Sequence, residues 1–151
     1  MKMSIDFKNF AEYAEKLDKM GGDLRATTQK ALEETHEYIT ANIKRDIQKH
    51  HKTGATERSL IEDAEVVWNG NIASIDVGFD IKNGGLPSIF LMYGTPKHPP
   101  ANQYGKSAGT NGGLDADKEL YNDIYGARTQ REVKKIQERV FAEAIKNRMG
   151  G

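Results

Sequence analysis

The first half of the chain has two stretches in which apolar residues recur at helical spacing. The first stretch predicts a helix over residues 4–20, whose apolar row is Phe7, Phe10, Ala14 and Leu17. Gly21 and Gly22 follow this row and are expected to end the helix, because glycine readily adopts the left-handed conformation common at helix ends.

A second and longer helix is predicted over about residues 24–50. Asp23 is a suitable N-cap residue, since its side chain can accept a hydrogen bond from the first turn. The apolar row of this helix is Leu32, Ile39, Ile43 and Ile47, with His36 filling the gap. At 1.5 Å per residue the helix is roughly 40 Å long, which exceeds the usual width of a domain of this size. We therefore expect one end to project or to meet another subunit.

The middle of the chain alternates between apolar and polar residues. The apolar positions are Ala64, Val66 and Trp68 in one run and Ile75, Val77, Phe79 and Ile81 in the next. Asn69, Gly70 and Asn71 lie between the runs and suit a tight turn, so the pattern predicts a β-hairpin. The short apolar run from Ile89 to Tyr93 fits either a strand or a buried helical turn.

Helical spacing returns near the C-terminus. Asp115 or Asp117 can cap a helix carrying Leu120, Tyr121, Ile124 and Tyr125, which Gly126 interrupts. Thr129 and Glu132 form a capping box that predicts the start of a last helix. The apolar row of that helix is Val133, Ile136, Val140 and Ala144, and Gly150-Gly151 follows it.

Helices at both ends of the chain and strands between them favour an α+β fold. We expect one domain over residues 1–151, with a small antiparallel sheet and long N-terminal and C-terminal helices packed on one face. The predicted core between sheet and helices is Ile39, Ile43, Trp68, Ile75, Val77, Phe79, Val133, Ile136 and Val140.

Residues 95–113 have a different composition from the rest of the chain. Three of the four prolines lie here, namely Pro96, Pro99 and Pro100, and glycines follow them. Such a segment cannot bury enough apolar surface to order itself, yet long loops in small domains usually serve a function. We expect a flexible interaction loop, with Tyr104, its one large side chain, as an anchor.

Composition excludes several classes of protein. The 151 residues are 37% hydrophobic and 29% charged, and the 22 Lys and Arg balance the 22 Asp and Glu. This balance gives no global signal for binding nucleic acid or a membrane. The absence of cysteine excludes disulfides and thiolate chemistry. With no signal-like start and no apolar run of about 18 residues, we expect a soluble protein made in a cytoplasm.

Positive charge is concentrated in one segment, although the net charge of the chain is zero. Between residues 44 and 58, two acids, Asp46 and Glu57, face five cations: Lys44, Arg45, Lys49, Lys52 and Arg58. One interpretation is contact with nucleic acid or with an acidic partner. The other is a solvated helix end, where cations are favoured by the helix dipole.

Motifs for catalysis or metal binding are weak. His50 or His51, together with His98 and Asp46, conceivably bind zinc, but their spacing matches no recognised zinc motif. Ser107 lies in a Gly-x-Ser-x-Gly string that lacks the strand-to-helix elbow a nucleophile needs, and Pro100 replaces the first glycine of a phosphate-binding loop. We therefore predict no catalytic, cofactor or metal site, and keep a metal-dependent hydrolase as the least favoured alternative.

Three short motifs follow one another along the chain. The first is Thr53-Gly54 followed by Ser59-Leu60, after a pair of helices and before the strands. The second is an aromatic residue before Gly-Thr, here Tyr93-Gly94-Thr95. The third is the proline-rich stretch at residues 96–101. Taken in order, these motifs resemble the neck and tail-component proteins of long-tailed bacteriophages. This chain departs from that family's pattern at Met92, where the family often has an acid, and in its glycine-rich segment over residues 102–113.

The resemblance implies a virion protein without catalysis that forms a homo-oligomeric ring at the head–tail junction. A ring of six or twelve copies, other phage head-completion and tail proteins as partners, and DNA in the channel follow as expectations from that family. The protein is then made in a bacterial cytoplasm. The resemblance, together with the loop at residues 95–113 and the basic segment at residues 44–58, gives the expected interaction residues. They are Tyr93, Gly94, Thr95, Pro96, Lys97, His98, Tyr104, Lys44, Arg45 and Lys49. The alternative is a small nucleic-acid-binding protein that uses residues 44–58.

Overall fold

A central helix, a three-stranded sheet and a long C-terminal helix make up the computed structural model, which describes residues 2–5, 11–19, 23–51, 54–70, 72–96 and 113–150. In chain order the elements are β1 (Lys2–Ile5), α1 (Ala11–Lys19), α2 (Leu24–Ile47), α3 (Ala55–Arg58), β2 (Val67–Asn69), β3 (Ile72–Asp76), α4 (Leu86–Tyr93), α5 (Lys118–Tyr125) and α6 (Ala127–Met149). Short 3₁₀ turns cover Gln48–His50 and Ile81–Asn83.

Helix α2 is the element around which the others pack. The Asp23 side chain accepts a hydrogen bond from the backbone N–H of Ala26, which confirms the predicted N-cap. The predicted apolar row, including His36, is buried along its whole length. Nε2 of His36 donates to the carbonyl oxygen of Ile61, 2.9 Å away, so this buried imidazole is satisfied. Helices α5 and α6 and the sheet all contact α2, which makes it the spine of the core.

The sheet has the strand order β1-β3-β2, with both pairs antiparallel, and confirms the predicted hairpin. Ala73 and Ile75 of β3 are buried against α2. The opposite face of the hairpin is open, and Val67 and Ile72 are exposed there. Helices therefore cover one face of the sheet, as the α+β prediction required.

The predicted first helix begins too early. Ser4 and Ile5 belong to β1, which pairs with β3 so that Met3 lies opposite Ile75. The local spacing favours a helix, but pairing with β3, about 70 positions away, gives these residues backbone hydrogen bonds to a neighbouring strand. The sequence pattern does not show this pairing, because it exists only in the folded chain. The later part of the prediction is confirmed by α1, where Leu17 is buried. Phe7 and Phe10 lie outside the described residues.

The predicted second strand of the hairpin is too long. β3 ends at Asp76, and Ile81, expected to face inwards, is exposed on a 3₁₀ turn. Gly78, at a φ of 95°, breaks the strand geometry. The Asp80 side chain then caps the turn by accepting from the backbone N–H groups of Lys82 and Asn83. Phe79 is nevertheless buried, in an isolated bridge with Leu60.

The C-terminal helices also differ from expectation in detail. Asp117, not Asp115, caps α5. Helix α6 begins at Ala127, so Thr129 lies inside it and not at the predicted N-cap. The Thr129 hydroxyl donates to the carbonyl oxygen of Asn122 at the end of α5, a bond between two helices that replaces the capping box. Val133 and Val140 are buried, but Ile136 is only half-buried.

Trp68 is less buried than expected, and the C-terminal end of α2 is more covered. Trp68 is half-buried, with the Arg25 guanidinium 4.6 Å from its ring centre. The end of α2 that carries Ile47 does not project, because Ile47 is buried and the following Lys49 and His50 pair with Asp117 at the start of α5. The helix is as long as predicted, but α5 covers its C-terminal end.

Candidate interaction surface

Helix α4 resolves the ambiguity of the short apolar run: it is helical. Pro87 is tolerated in its first turn because the N–H groups there have no partner within the helix. The Ser88 hydroxyl donates to the carbonyl oxygen of Gly85, 2.6 Å away, and fixes the start of the helix. Gly94 ends it, and its N–H donates to the carbonyl oxygen of Phe90.

One side of α4 is apolar and exposed. Leu86, Phe90 and Tyr93 stand four and three residues apart, so they share one helical face, and their exposed fractions are 51%, 47% and 60%. The opposite side carries Ser88 and Met92, which are buried. We call Leu86, Phe90 and Tyr93 the α4 row. Large apolar side chains gathered on one exposed face are a common property of surfaces that bind another protein.

Tyrosines connect α4 to α5. The ring centres of Tyr93 and Tyr121 are 5.6 Å apart in an edge-to-face arrangement, and those of Tyr121 and Tyr125 are 5.1 Å apart. Burial, with the neighbouring phenols of Tyr93 and Tyr121, raises the pKa of Tyr125. The N–H of Asp117 also donates to the carbonyl oxygen of Leu91 at 2.7 Å. These contacts hold the start of α5 against α4.

The expected interaction residues Gly94, Thr95 and Pro96 follow directly on α4. Thr95 and Leu114 form an isolated bridge in which the N–H of Thr95 donates to the Leu114 carbonyl oxygen at 2.8 Å. The Thr95 hydroxyl accepts from the N–H of Leu114, also at 2.8 Å. This bridge brings Leu114, itself exposed, beside the α4 row. Lys97, His98 and Tyr104 lie outside the described residues.

A groove of about 510 Å³ runs alongside Phe90. Its apolar wall includes Ile47, Phe90, Leu91 and Leu114. Its polar wall includes Lys49, His50 and His51, from the 3₁₀ turn after α2 and the residue following it, and Glu57 of α3. The exposed row and the groove thus form one continuous surface around α4.

The three expected cations of the basic segment each lie beside a carboxylate. The pairs are Lys44 with Glu62 at 2.7 Å, Arg45 with Asp46 at 2.8 Å, and Lys49 with Glu119 at 2.7 Å. Contacts with Glu119 and Asp117 raise the pKa of Lys49, so it stays charged. Two acids from outside the segment, Glu62 and Glu119, therefore offset part of the local excess of positive charge in the sequence.

The histidines proposed as zinc ligands also have other partners. Nε2 of His50 lies 2.5 Å from Oδ2 of Asp117, and Nδ1 of His51 lies 2.8 Å from Oε1 of Glu57. Burial alone raises the pKa of Asp117, but hydrogen bonds from His50, the backbone of Leu120 and Lys49 outweigh it and lower the pKa. In the part of the chain that the structure describes, no three His, Asp or Glu side chains are grouped to hold a metal ion.

A second polar cavity, of about 630 Å³, lies where α2, α5 and the start of α6 meet. Asp46 and Asp123 line it, together with Arg45 and Arg128. Asp123 is buried, with 8% of its surface exposed. Burial, and then the neighbouring Asp46 carboxylate, raises the pKa of Asp123 to about 7. The hydrogen bonds from Arg45 lower the pKa of Asp46 to about 2.

Comparison with protein-family models, with curated proteins and with solved structures gave no match to this chain. None of the described helices is both long enough and apolar enough to cross a membrane.

The sequence predicts one end of the α4 surface, Tyr93 to Pro96, but not Leu86, Phe90 or Leu114. Tyr93 to Pro96 came from the resemblance, whereas Leu86 and Phe90 could have been found from their spacing with Tyr93 once the run was assigned as a helix. Leu114 has no such signal, because only the bridge to Thr95 brings it to α4.

Proposed function

We propose that this chain is a non-catalytic structural protein of a phage virion, one copy in a homo-oligomeric ring at the head–tail junction. In that position, as a neck or tail-completion ring, it joins head to tail and contacts other head-completion and tail proteins, with DNA passing through the channel. The motif resemblance supplies the phage context. The observation that carries the assembly is the exposed α4 row, which follows directly into the Gly94-Thr95 motif.

The α4 row favours association with a partner on energetic grounds. Burying apolar surface contributes about 25 cal/mol per Å², so three large side chains left half-exposed forgo several kcal/mol of stabilisation. A chain that works alone gains nothing from grouping them on one helix face. Because Leu114 extends the row and the groove lies beside it, the surface is broad enough to accept a complementary surface.

The partner surface that we propose is the open face of the hairpin in a second copy. Val67 and Ile72 are exposed there and supply apolar contact. Glu65 and Asp76, both exposed, flank them, whereas Lys82 is exposed on the turn before α4. An apolar surface with acidic neighbours therefore matches an apolar surface with a basic neighbour. Contact between two different surfaces of identical chains is heterologous, and it closes into a ring when the rotation per copy allows.

Assembly is tested by the mass of the purified protein in solution. Native mass spectrometry and light scattering at increasing concentration should show one closed species, with six or twelve copies expected. Phe90→Gln should shift the assembly midpoint to at least about tenfold higher concentration, since it removes the central side chain of the row. Met149→Gln is the matched control, because Met149 is 77% exposed and lies on a different helix.

A wild-type protein that stays monomeric at every concentration, or a Phe90→Gln variant that assembles as the control does, contradicts the α4 assembly. The phage role needs its own test. A phage genome lacking this gene should yield separate heads and tails, and supplied wild-type protein should join them. Joined particles produced without the protein would rule out the proposed function even if the purified chain forms rings.

A further inference from the structure

The contact between α2 and α5 contains two neighbouring carboxyl groups, those of Asp46 and Asp123. Asp46 is near the C-terminal end of α2, and Asp123 is in α5. Arg45 holds Asp46 with two hydrogen bonds, Nε to Oδ1 at 2.8 Å and Nη2 to Oδ2 at 2.9 Å. A carboxyl group held in this bidentate way is stabilised in its ionised form.

Asp123 has the opposite environment. Its Oδ2 is buried and receives no hydrogen bond from any donor group among the described residues. The nearest guanidinium nitrogen of Arg45 is 3.8 Å from Oδ1, and that group is already committed to Asp46. The Asp46 carboxylate lines the same cavity, and Arg45 contacts both acids. An ionised Asp123 would place a second carboxylate beside Asp46 with one guanidinium for both, whereas a protonated Asp123 carboxyl can donate a hydrogen bond to the Asp46 carboxylate.

Other charged groups around the pair do not replace that proton. Lys49 and His50 are committed to Asp117, and Lys49 also to Glu119. Helix α4, which also packs on α5, contains no ionisable group except Tyr93. The charged and titratable groups facing the pair are therefore Tyr38 and Arg45 from α2, Lys49 and His50 from the 3₁₀ turn, Asp117 and Glu119 from the start of α5, and Arg128 from the start of α6.

We propose that Asp46 and Asp123 form a proton-dependent latch that holds α5 against α2. With one shared proton, the pair links the two helices. When the proton is lost, two carboxylates face each other in a largely buried contact, and α5 loosens. Because α5 carries Tyr121 and the Asp117 N–H that bonds Leu91, the loosening extends to α4. This inference does not depend on the proposed function.

The pH range follows from the two groups. The pKa of Asp123 is about 7 in the folded chain, above its usual 3.8, so the native pair loses its proton around neutral pH. The pKa of Asp46 is about 2, so Asp46 remains ionised throughout that range. The latch is therefore closed at pH 6 and open at pH 8.

The experiment is a carboxyl-carbon NMR titration of the full chain, combined with amide hydrogen exchange at pH 6 and pH 8. The Asp123 carboxyl signal should titrate between about pH 6 and 8. After correction for intrinsic exchange rates, protection of the α5 amides should fall at least about threefold from pH 6 to pH 8. In Asp123→Asn the fall should disappear, because the amide donates to Asp46 at every pH.

Asp18→Asn is the matched control, since Asp18 is an exposed aspartate on α1, away from both the α2–α5 contact and the proposed assembly surfaces; it should behave as the wild type does. An Asp123 signal that titrates below pH 5 overturns the proposal whether or not the Asn variant folds. An equal loss of protection in wild type and Asp123→Asn overturns it as well.

Discussion

Gly94 shows how a single position constrains the interaction surface. Its φ is 72°, and a Cβ built there would lie 2.6 Å from the Leu114 carbonyl oxygen and 2.8 Å from the Ala116 backbone nitrogen. Both neighbours are backbone atoms, so neither can move aside cheaply. The bridge from Thr95 to Leu114 therefore requires glycine at this position, for both conformation and space.

Gly94→Ala should lower the free energy of unfolding by about 2–4 kcal/mol, the sum of left-handed strain and backbone collision. Gly70→Ala is the matched control, because Gly70 has a φ of 60° but no atom within 4 Å of the added Cβ. It should cost only about 1–2 kcal/mol. Urea unfolding of both variants measures the difference, and equal losses would mean that the close approach to Leu114 is absent.

The pKa of Asp123 also makes global stability depend on pH. Because that pKa is raised to about 7 in the folded chain, its contribution is fully present below pH 3.8 and is lost as pH rises to 7. Asp46 acts in the opposite direction, but only as pH falls from 3.8 towards 2. Asp123→Asn should therefore raise the unfolding free energy by about 1–3 kcal/mol at pH 8 and change it little at pH 4. Denaturant melts at both pH values measure this, and a variant less stable at pH 8 contradicts it.

At the scale of the elements, helix ends depend on single side chains. Asp117 accepts hydrogen bonds from the N–H groups of Glu119 and Leu120 and also pairs with His50. Asp117→Ala should cost about 2–4 kcal/mol, since it removes an N-cap and leaves buried partners unpaired. The exposed Asp115, the other cap candidate in the sequence, should tolerate Asp115→Ala with a change below about 0.5 kcal/mol. Thermal melts of the two variants distinguish the caps.

The end of β3 can be tested in the same way. Phe79 is buried and Ile81 is exposed, although both continue the alternation of the strand. Phe79→Ala should lower the unfolding free energy by about 3–5 kcal/mol, because a large core side chain leaves a cavity. Ile81→Ala should change it by less than about 1 kcal/mol. Similar losses at both positions would show that the strand continues past Asp76.

At the scale of the whole molecule, assembly should be coupled to stability. If copies associate through the α4 row, the folded ring is favoured by mass action, and Tm should rise with protein concentration. Differential scanning calorimetry from micromolar to hundreds of micromolar protein should show this rise in the wild type and in Met149→Gln. Phe90→Gln should melt at a Tm that depends much less on concentration.

The sequence by itself determined the elements whose information is local. The row from Leu32 to Ile47 predicted α2, Asp23 predicted its cap, and the alternation around Asn69-Gly70 predicted the hairpin, because one face of each element is apolar at its own period. These elements were enough to give the α+β class.

Tertiary structure decided what depends on distant partners. Ser4 and Ile5 are in a strand because β3 lies beside them, and Thr129 is inside a helix because the Asn122 carbonyl accepts its hydroxyl. Burial of Asp123 beside Asp46, and the return of Leu114 to the α4 row, arise only when segments far apart in sequence pack together. Periodicity reports which face of an element is buried, but it contains no information about which other element covers that face.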